Sequence, residues 1–315
     1  MDQLVEKIAN KDQRALARAI SYIENDHPDK LTLLKQLNEI KQQSHYIGIT
    51  GSPGAGKSSL VDKLVGVLRK QDYEVAVIAV DPTSPFSGGA LLGDRVRMYR
   101  HFSDDKVFIR SMATRGSLGG LARATKDAIR ACNAYGFDYI IIETVGVGQS
   151  ELDIMKIADT TAVVLTPNSG DILQVFKAGI MEIADLFILN KADLPGIKKL
   201  KNMLNDLLRV TANRDFKPLI VETSVMENFG FDELVVAINK HRQFLQETVE
   251  GKNKRQEQIE FEVYELIQEA IWKDVYQYIQ RDPNKQRQLK ETDDPYALAE
   301  KWLADWKKSL GDVNG

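Results

Sequence analysis

Short apolar runs alternate with helical periodicities through the middle of this 315-residue chain. The runs are Tyr46 to Thr50, Val75 to Val80, Val107 to Ile109, Tyr139 to Ile142, Thr161 to Leu165, Leu186 to Leu189 and Leu219 to Val221. A run that is apolar at successive rather than alternate positions marks a strand covered on both faces, and the helical segments between such runs supply the cover. The pattern predicts a doubly wound α/β domain with a mostly parallel sheet over residues 45–250. In such sheets ligands bind beyond the carboxyl ends of the strands, so a polar residue ending one of these runs is a site candidate.

Helical spacing flanks this region. Leu4 and Ile8, Ile20 and Ile23, and Leu34, Leu37 and Ile40 predict two or more helices in an N-terminal extension, residues 1–44, with a break at His27-Pro28-Asp29. In residues 251–315 a long helix carrying Ile259, Val263, Leu266, Ile267, Ala270, Ile271, Val275 and Tyr278 is expected to end at Asp282-Pro283. A second is expected to start at Asp294-Pro295, a capping residue before a first-turn proline, with Leu298, Trp302 and Trp306 on one face. That stripe suits packing on the chain's own α/β domain or a dimer interface, and periodicity fits both.

The first strand runs straight into Gly51-Ser52-Pro53-Gly54-Ala55-Gly56-Lys57-Ser58, then Ser59 and a helix marked by Leu60, Leu64 and Leu68. Every fixed position of the phosphate-binding loop is filled, on the strand-to-helix turn where that loop belongs. Its glycines let successive backbone N–H groups turn in around a phosphate, and the helix N-terminus adds partial positive charge. In this pattern Lys57 reaches the β and γ phosphates and the Ser58 hydroxyl ligates Mg²⁺. The fold class is therefore that of a P-loop NTPase.

Composition narrows the partners. A net charge of −3, without a run of lysines and arginines, leaves no electrostatic footprint for nucleic acid or anionic lipid. The one cysteine, Cys132, lies in a helical pattern beside Ala128, Ile129 and Ala131, where it reads as a small packed hydrophobe, in keeping with a reducing compartment. Charges within Met1 to Lys7 stand where a secretory signal has its apolar core, and no stretch reaches the roughly 18 uninterrupted apolar residues of a membrane span. The expected location is the cytoplasm, with no membrane and no nucleic acid among the partners.

Two further strand ends carry chemistry. Asn190-Lys191-Ala192-Asp193 follows Leu186 to Leu189, and the Asp193 carboxylate is suited to accept hydrogen bonds from N1–H and the exocyclic amine of guanine. Adenine offers neither donor, and a buried acceptor left unpaired discriminates strongly. Thr223-Ser224-Val225, after Leu219 to Val221, is placed to give backbone contacts to the guanine O6. The run Tyr139 to Ile142 ends in Glu143-Thr144-Val145-Gly146-Val147-Gly148-Gln149-Ser150-Glu151. Glu143 is a metal-site candidate, direct or through water; the Gly146 N–H suits the γ-phosphate; and Gln149 either orients water or is simply exposed. Asp81 and Asp94 are further acidic candidates, with capping or a surface ion pair as the alternative. Arg95 and Arg115 are candidates for an arginine finger.

Together, the loop Gly51 to Ser58, Val80-Asp81-Pro82-Thr83-Ser84, Arg110 to Gly116, Glu143 to Glu151 and Asn190 to Asp193 resemble the MeaB/ArgK group of P-loop GTPases over roughly residues 45–250, with an echo in Asp294-Pro295-Tyr296. The resemblance implies GTP and GDP as ligands with Mg²⁺. It implies homodimers and a protein partner, an adenosylcobalamin-dependent acyl-CoA mutase, chiefly methylmalonyl-CoA mutase, whose cofactor loading, protection or rescue the GTPase serves. It maps Asp81, Asp94 and Glu143 onto the acidic Mg²⁺ site, Gly146 to Glu151 onto the second switch, and Thr166 to Lys177 onto a loop that reports to the mutase. In that loop Ile172 and Val175 stand where the family often has an acidic residue and a glycine. Other classes remain open: a kinase passing the γ-phosphate to a protein or amino acid, and a non-catalytic module that binds guanine nucleotide. A metal-delivery GTPase is disfavoured, because His27, His45, His101, His241 and Cys132 are too scattered to form a ligand cluster.

Overall fold

The computed structural model describes residues 1–81, 98–113, 123–144, 156–167, 183–211 and 215–311, with main chain only at Asp81, Val210, Thr211 and Gly311. Seven strands form one sheet: β1 (His45–Gly51), β2 (Val75–Asp81), β3 (Val107–Ala113), β4 (Tyr139–Glu143), β5 (Thr160–Leu165), β6 (Leu186–Asn190) and β7 (Leu219–Thr223). Their order is β3-β2-β4-β1-β5-β6-β7, and every ladder is parallel. All seven runs read from the sequence are strands, most of them extended by a polar residue at the carboxyl end.

Three helices, α1 (Asp2–Ala9), α2 (Gln13–Glu24) and α3 (Lys30–Glu39), precede the sheet. Asp12 starts α2 by accepting the Arg14 and Ala15 amides on its side chain, which satisfies two donors the first turn cannot pair internally. These helices and α5 (Arg123–Tyr135) cover one face, burying Ile8, Leu16, Ile20, Leu33 and Leu37 with Ala76, Ile78 and Val80 of β2 and Ile140 and Ile142 of β4. The intervening residues Val75, Val77, Tyr139 and Ile141 point to the other face, where α4 (Lys57–Lys70) and α7 (Phe231–Glu247) pack. Helix α6 (Ile197–Thr211) places Leu200 and Leu204 on Val163, Leu165, Phe187 and Leu189. This two-sided cover is why the strands read as continuous apolar runs.

Inside the first layer Asp127 is fully buried, with its carboxylate 3.2 Å from Lys30 and 3.2 Å from Arg123. The pair of cations offsets the cost of a dehydrated charge and ties α3 to the start of α5. Arg110 of β3 pairs likewise with Glu24 of α2. Cys132 is completely buried, and burial pushes its thiol well up, so it stays protonated and inert, as the small-hydrophobe reading expects.

The chain divides into two compact units, Met1–Asn253 and Lys254–Gly315. The boundary falls within α8 (Val249–Gln280), which α9 (Pro283–Glu291) and α10 (Pro295–Gly311) follow. The sequence reading ends the long helix at Asp282-Pro283 but does not anticipate α9. Asp282 caps it, its side chain accepting the Asn284 amide, and Pro283 occupies the first turn. The second unit buries Val275 and Trp302, and the Trp302 indole donates to Gln288 Oε1 at 3.2 Å. Among the described residues no helix is long and apolar enough to cross a membrane.

Candidate functional site

Parallel strands deliver their polar ends to one edge of the sheet. The glycine loop leaves β1 at its centre, where the chain's excursions turn from one side of the sheet to the other, the position at which ligands bind in this architecture. Register sets the spacing. Glu143 pairs with Ile49 on one side and Ala79 on the other, two residues short of Gly51 and Asp81 respectively. Asn190 pairs with Thr223, so the two base-recognition candidates leave the sheet side by side.

The loop has the left-handed conformations its glycines permit, with φ of 78° at Gly54 and 87° at Gly56, the residue that caps α4. Lys57 and Ser58 open the helix and are each 7% exposed. The Lys57 ammonium folds back over the loop, donating to the carbonyls of Gly51 at 2.6 Å and Ser52 at 3.1 Å. The Ser58 hydroxyl donates to Glu143 Oε1 at 2.7 Å. A serine on the loop and a carboxylate from the neighbouring strand, 85 residues apart in sequence, thus meet in a pocket where the carboxylate is only 4% exposed. Beside them Thr144 fixes β4 to β1, its amide donating to Ile49 O at 3.1 Å and its hydroxyl to Thr50 Oγ1 at 3.2 Å. Ser59, Pro53 and Gly54 are exposed at the rim.

The segment after β6 does more than the sequence reading gives it. Asn190 is buried, and its side-chain amide donates to Ala55 O at 2.8 Å while its carbonyl accepts from Thr223 Oγ1 at 3.2 Å. Lys191, at φ 57°, sends its ammonium to Gly54 O at 2.8 Å. Both side chains therefore buttress the phosphate-binding loop from the carboxyl end of β6, two strands over from β1. Asp193 accepts a short hydrogen bond from the Ser224 hydroxyl, which itself accepts the Glu227 amide at 3.1 Å. Beside the backbone role that the sequence suggests for Ser224, its side chain orients the Asp193 carboxylate. Val225 is half-buried next to it.

Asp81 ends β2 on the same edge, and only its main chain is described. Asp94, Arg95, Arg115, Gly146, Gln149 and all of the Thr166 to Lys177 loop beyond Pro167 lie outside the described residues. Among the described residues no group of three or more His, Cys, Asp or Glu side chains is gathered as a metal cluster.

Gly56 shows how tightly the two motifs are joined. A Cβ at this position would stand 2.7 Å from Asn190 Nδ2, on backbone that L side chains rarely adopt. Gly56→Ala is expected to lower stability by about 1–3 kcal/mol through strain and to weaken binding of a phosphate-bearing ligand at the same time, checked by thermal melting and nucleotide titration.

The family model for the methylmalonyl-CoA mutase-associated GTPase MeaB matches residues 16–280. The chain belongs to the MeaB family of GTPases. A protein of Pyrococcus abyssi is 46% identical over 312 residues, covering 97% of this chain and 96% of its own length. The GTPase ArgK of Escherichia coli is 34% identical over 243 residues, with 74% of this chain and 73% of ArgK covered. The methylmalonic aciduria type A homolog of Mus musculus, a mitochondrial protein, is 33% identical over 290 residues, with 86% and 70% covered. Among solved structures, a LAO/AO transport system kinase superposes with a TM-score of 0.71 at 24% identity, covering 98% of this chain and 97% of its own, which establishes the shared fold. As a member of this family the chain binds guanine nucleotide and is a GTPase.

Proposed function

We propose that this MeaB-family GTPase serves an adenosylcobalamin-dependent acyl-CoA mutase, methylmalonyl-CoA mutase first among them, by coupling GTP hydrolysis to loading, protection or rescue of the mutase's cofactor. The partner assignment is supported by the family's description and by the mouse relative's name. The single observation that supports the chemistry is the hydrogen bond from Ser58 to Glu143, next in the chain to a buried Lys57 that lies along a glycine loop held by Asn190 and Lys191.

In this reading the amides of Gly51 to Ser59 surround the phosphates, and Lys57 exchanges its loop carbonyls for the β and γ phosphate oxygens. The Ser58 hydroxyl and the Glu143 carboxylate suit Mg²⁺, which prefers hard oxygen ligands and retains several waters, with Asp81 and Asp94 completing the acidic set. Bound there, the ion would supply charge neutralisation at the phosphates. Gly146 and Gln149 are assigned to the γ-phosphate and to orientation of the attacking water. Asp193, turned by Ser224, reads N1–H and the 2-amino group of guanine, while Thr223 to Val225 border O6. Charge that develops on the phosphate oxygens is met by Lys57 and fixed N–H donors, so the protein contributes positioning and electrostatics rather than covalent chemistry. Residues 1–44 act as a helical extension, residues 45–250 as the G domain and residues 251–315 as the helical region of a homodimer.

No arginine finger or water-orienting side chain is fixed among the described residues, and intrinsic turnover is expected to be slow. Adding purified methylmalonyl-CoA mutase is expected to raise the GTP hydrolysis rate by about tenfold or more, measured as released phosphate. Equal rates with and without each adenosylcobalamin-dependent mutase tested count against the partner. Recovery of labelled γ-phosphate on a protein or amino acid instead of in solution would replace the GTPase reading with phosphotransfer.

A further inference from the structure

The sheet-facing side of α4 is wholly apolar: Leu60, Val61, Leu64, Val65 and Leu68. Hydrophobic burial of this kind holds a helix down but is non-directional, so it resists sliding and rotation less than separation. The outer side carries a different pattern. Asp62, Gly66 and Arg69 recur at i, i+4 and i+7, one stripe along the helix.

The chain that returns toward β3 lies along that stripe. Its 3-10 turn, Tyr99–His101, places the Arg100 guanidinium across Asp62, with Nε donating to Oδ1 at 2.8 Å and Nη2 to Oδ2 at 2.6 Å. The same Nη2 reaches the Asp62 carbonyl at 2.8 Å, and His101 Nε2 lies 3.1 Å from that carbonyl. Arg100 and His101 lie directly over Gly66, where a Cβ would meet Nη2 at 3.7 Å and His101 Cε1 at 3.9 Å, both ordinary van der Waals contacts. Farther along, the polarity reverses: Arg69 of the helix donates to Asp104 Oδ2 at 2.8 Å. Burial works to raise the Asp104 carboxyl, but Arg69 and the Lys106 amide outweigh it and hold the group below the usual carboxylate range. Two reciprocal pairs, one bidentate, therefore fix α4 both along and about its axis.

We propose that this seam positions the phosphate-binding turn, so that Asp62 and Arg100 are positioning residues for GTP hydrolysis. The proposal rests on the reading that Lys57 and Ser58 hold the triphosphate, because Asp62 stands one helical turn beyond Ser58 and 5 residues beyond Lys57 on the same rigid element. Partly exposed ion pairs add little to stability, the Arg100 side chain being 41% exposed. A displacement of a catalytic group by even 1 Å, in contrast, can cost about a hundredfold in rate. The seam's effect thus belongs mainly to turnover.

The test compares kcat, KM for GTP and melting temperature of the full chain with those of Asp62→Asn, Arg100→Lys and the exchanged pair Asp62→Arg with Arg100→Asp. Asp62→Asn is expected to lose about tenfold in kcat with KM changed by less than about threefold and melting lowered by only a few degrees. Arg100→Lys, which keeps charge but loses the fork, should fall between it and the parent, and the exchanged pair should recover most of the loss. Asp206→Asn, which breaks the exposed Arg209–Asp206 pair on α6, is the control expected to leave kcat unchanged. Parental kcat in both single variants, or a loss no larger than the fraction unfolded, overturns the proposal while leaving the nucleotide reading intact. Parental failure to turn over GTP overturns both.

Discussion

Asp193→Asn is expected to erase the preference for guanine. The carboxylate is held by the Ser224 hydroxyl, which the Glu227 amide holds in turn, so its remaining acceptor capacity is fixed in direction. Guanine meets it with two donors, N1–H and the 2-amino group. Asparagine keeps the shape but presents an NH₂ group to one of them, replacing two charge-assisted hydrogen bonds by one neutral bond and one repulsive contact. Hydrogen bonds to a charged partner contribute about 1.5–3 kcal/mol each, so GTP affinity should fall by about 10²–10³-fold while the weak affinity for ATP stays put. Xanthosine triphosphate, which carries a carbonyl where guanine carries the amine, should gain. Calorimetric titration of the three nucleotides checks this, and a GTP-to-ATP ratio unmoved by the substitution removes Asp193 from base recognition.

Lys57→Ala carries the second large effect. Lys57 is 7% exposed and held along the loop by the Gly51 and Ser52 carbonyls, and in the proposed reading it trades these for the β and γ phosphate oxygens at little cost in reorganisation. Loss of one preorganised donor of this kind costs about 10²–10³-fold in kcat, or roughly 2.7–4 kcal/mol. Folding should survive, because the apolar face of α4 that packs on the sheet is untouched. Phosphate release measured at saturating GTP, beside a melting curve, separates the two. A variant that folds and keeps parental kcat shows that the loop does not use its lysine.

What the sequence discloses, and what it withholds, follows from the range of each interaction. The seven strands are readable because both faces of the sheet are covered, which makes stretches such as Tyr139 to Ile142 apolar without interruption. The loop Gly51 to Ser58 is readable because its chemistry is contiguous. Helix α9 is not, since Asp282-Pro283 serves as the end of one helix and the cap of the next, and the segment Pro283 to Glu291 buries nothing to give it a periodicity. The latch from Asn190 and Lys191 to the carbonyls of Ala55 and Gly54 spans 135 and 137 residues and exists only because the order β1-β5-β6 brings the end of β6 within reach of the loop that follows β1. Topology creates it, so no local pattern announces it. The Arg100 to Asp62 contact is hidden for a related reason: a three-residue 3-10 turn is too short to carry an amphipathic signal.

That latch has a thermodynamic consequence. In the proposed reading the strand end assigned to the purine is bolted to the turn assigned to the phosphates, so the two halves of the ligand are expected not to meet independent subsites. Occupancy of either half is expected to stiffen the other, so that the intact nucleotide meets in one event an ordering cost that its separated fragments, guanosine and inorganic phosphate, would each bear in full. Affinity is then expected to be a cooperative property of the joined motifs, carried in part by two hydrogen bonds that touch no ligand.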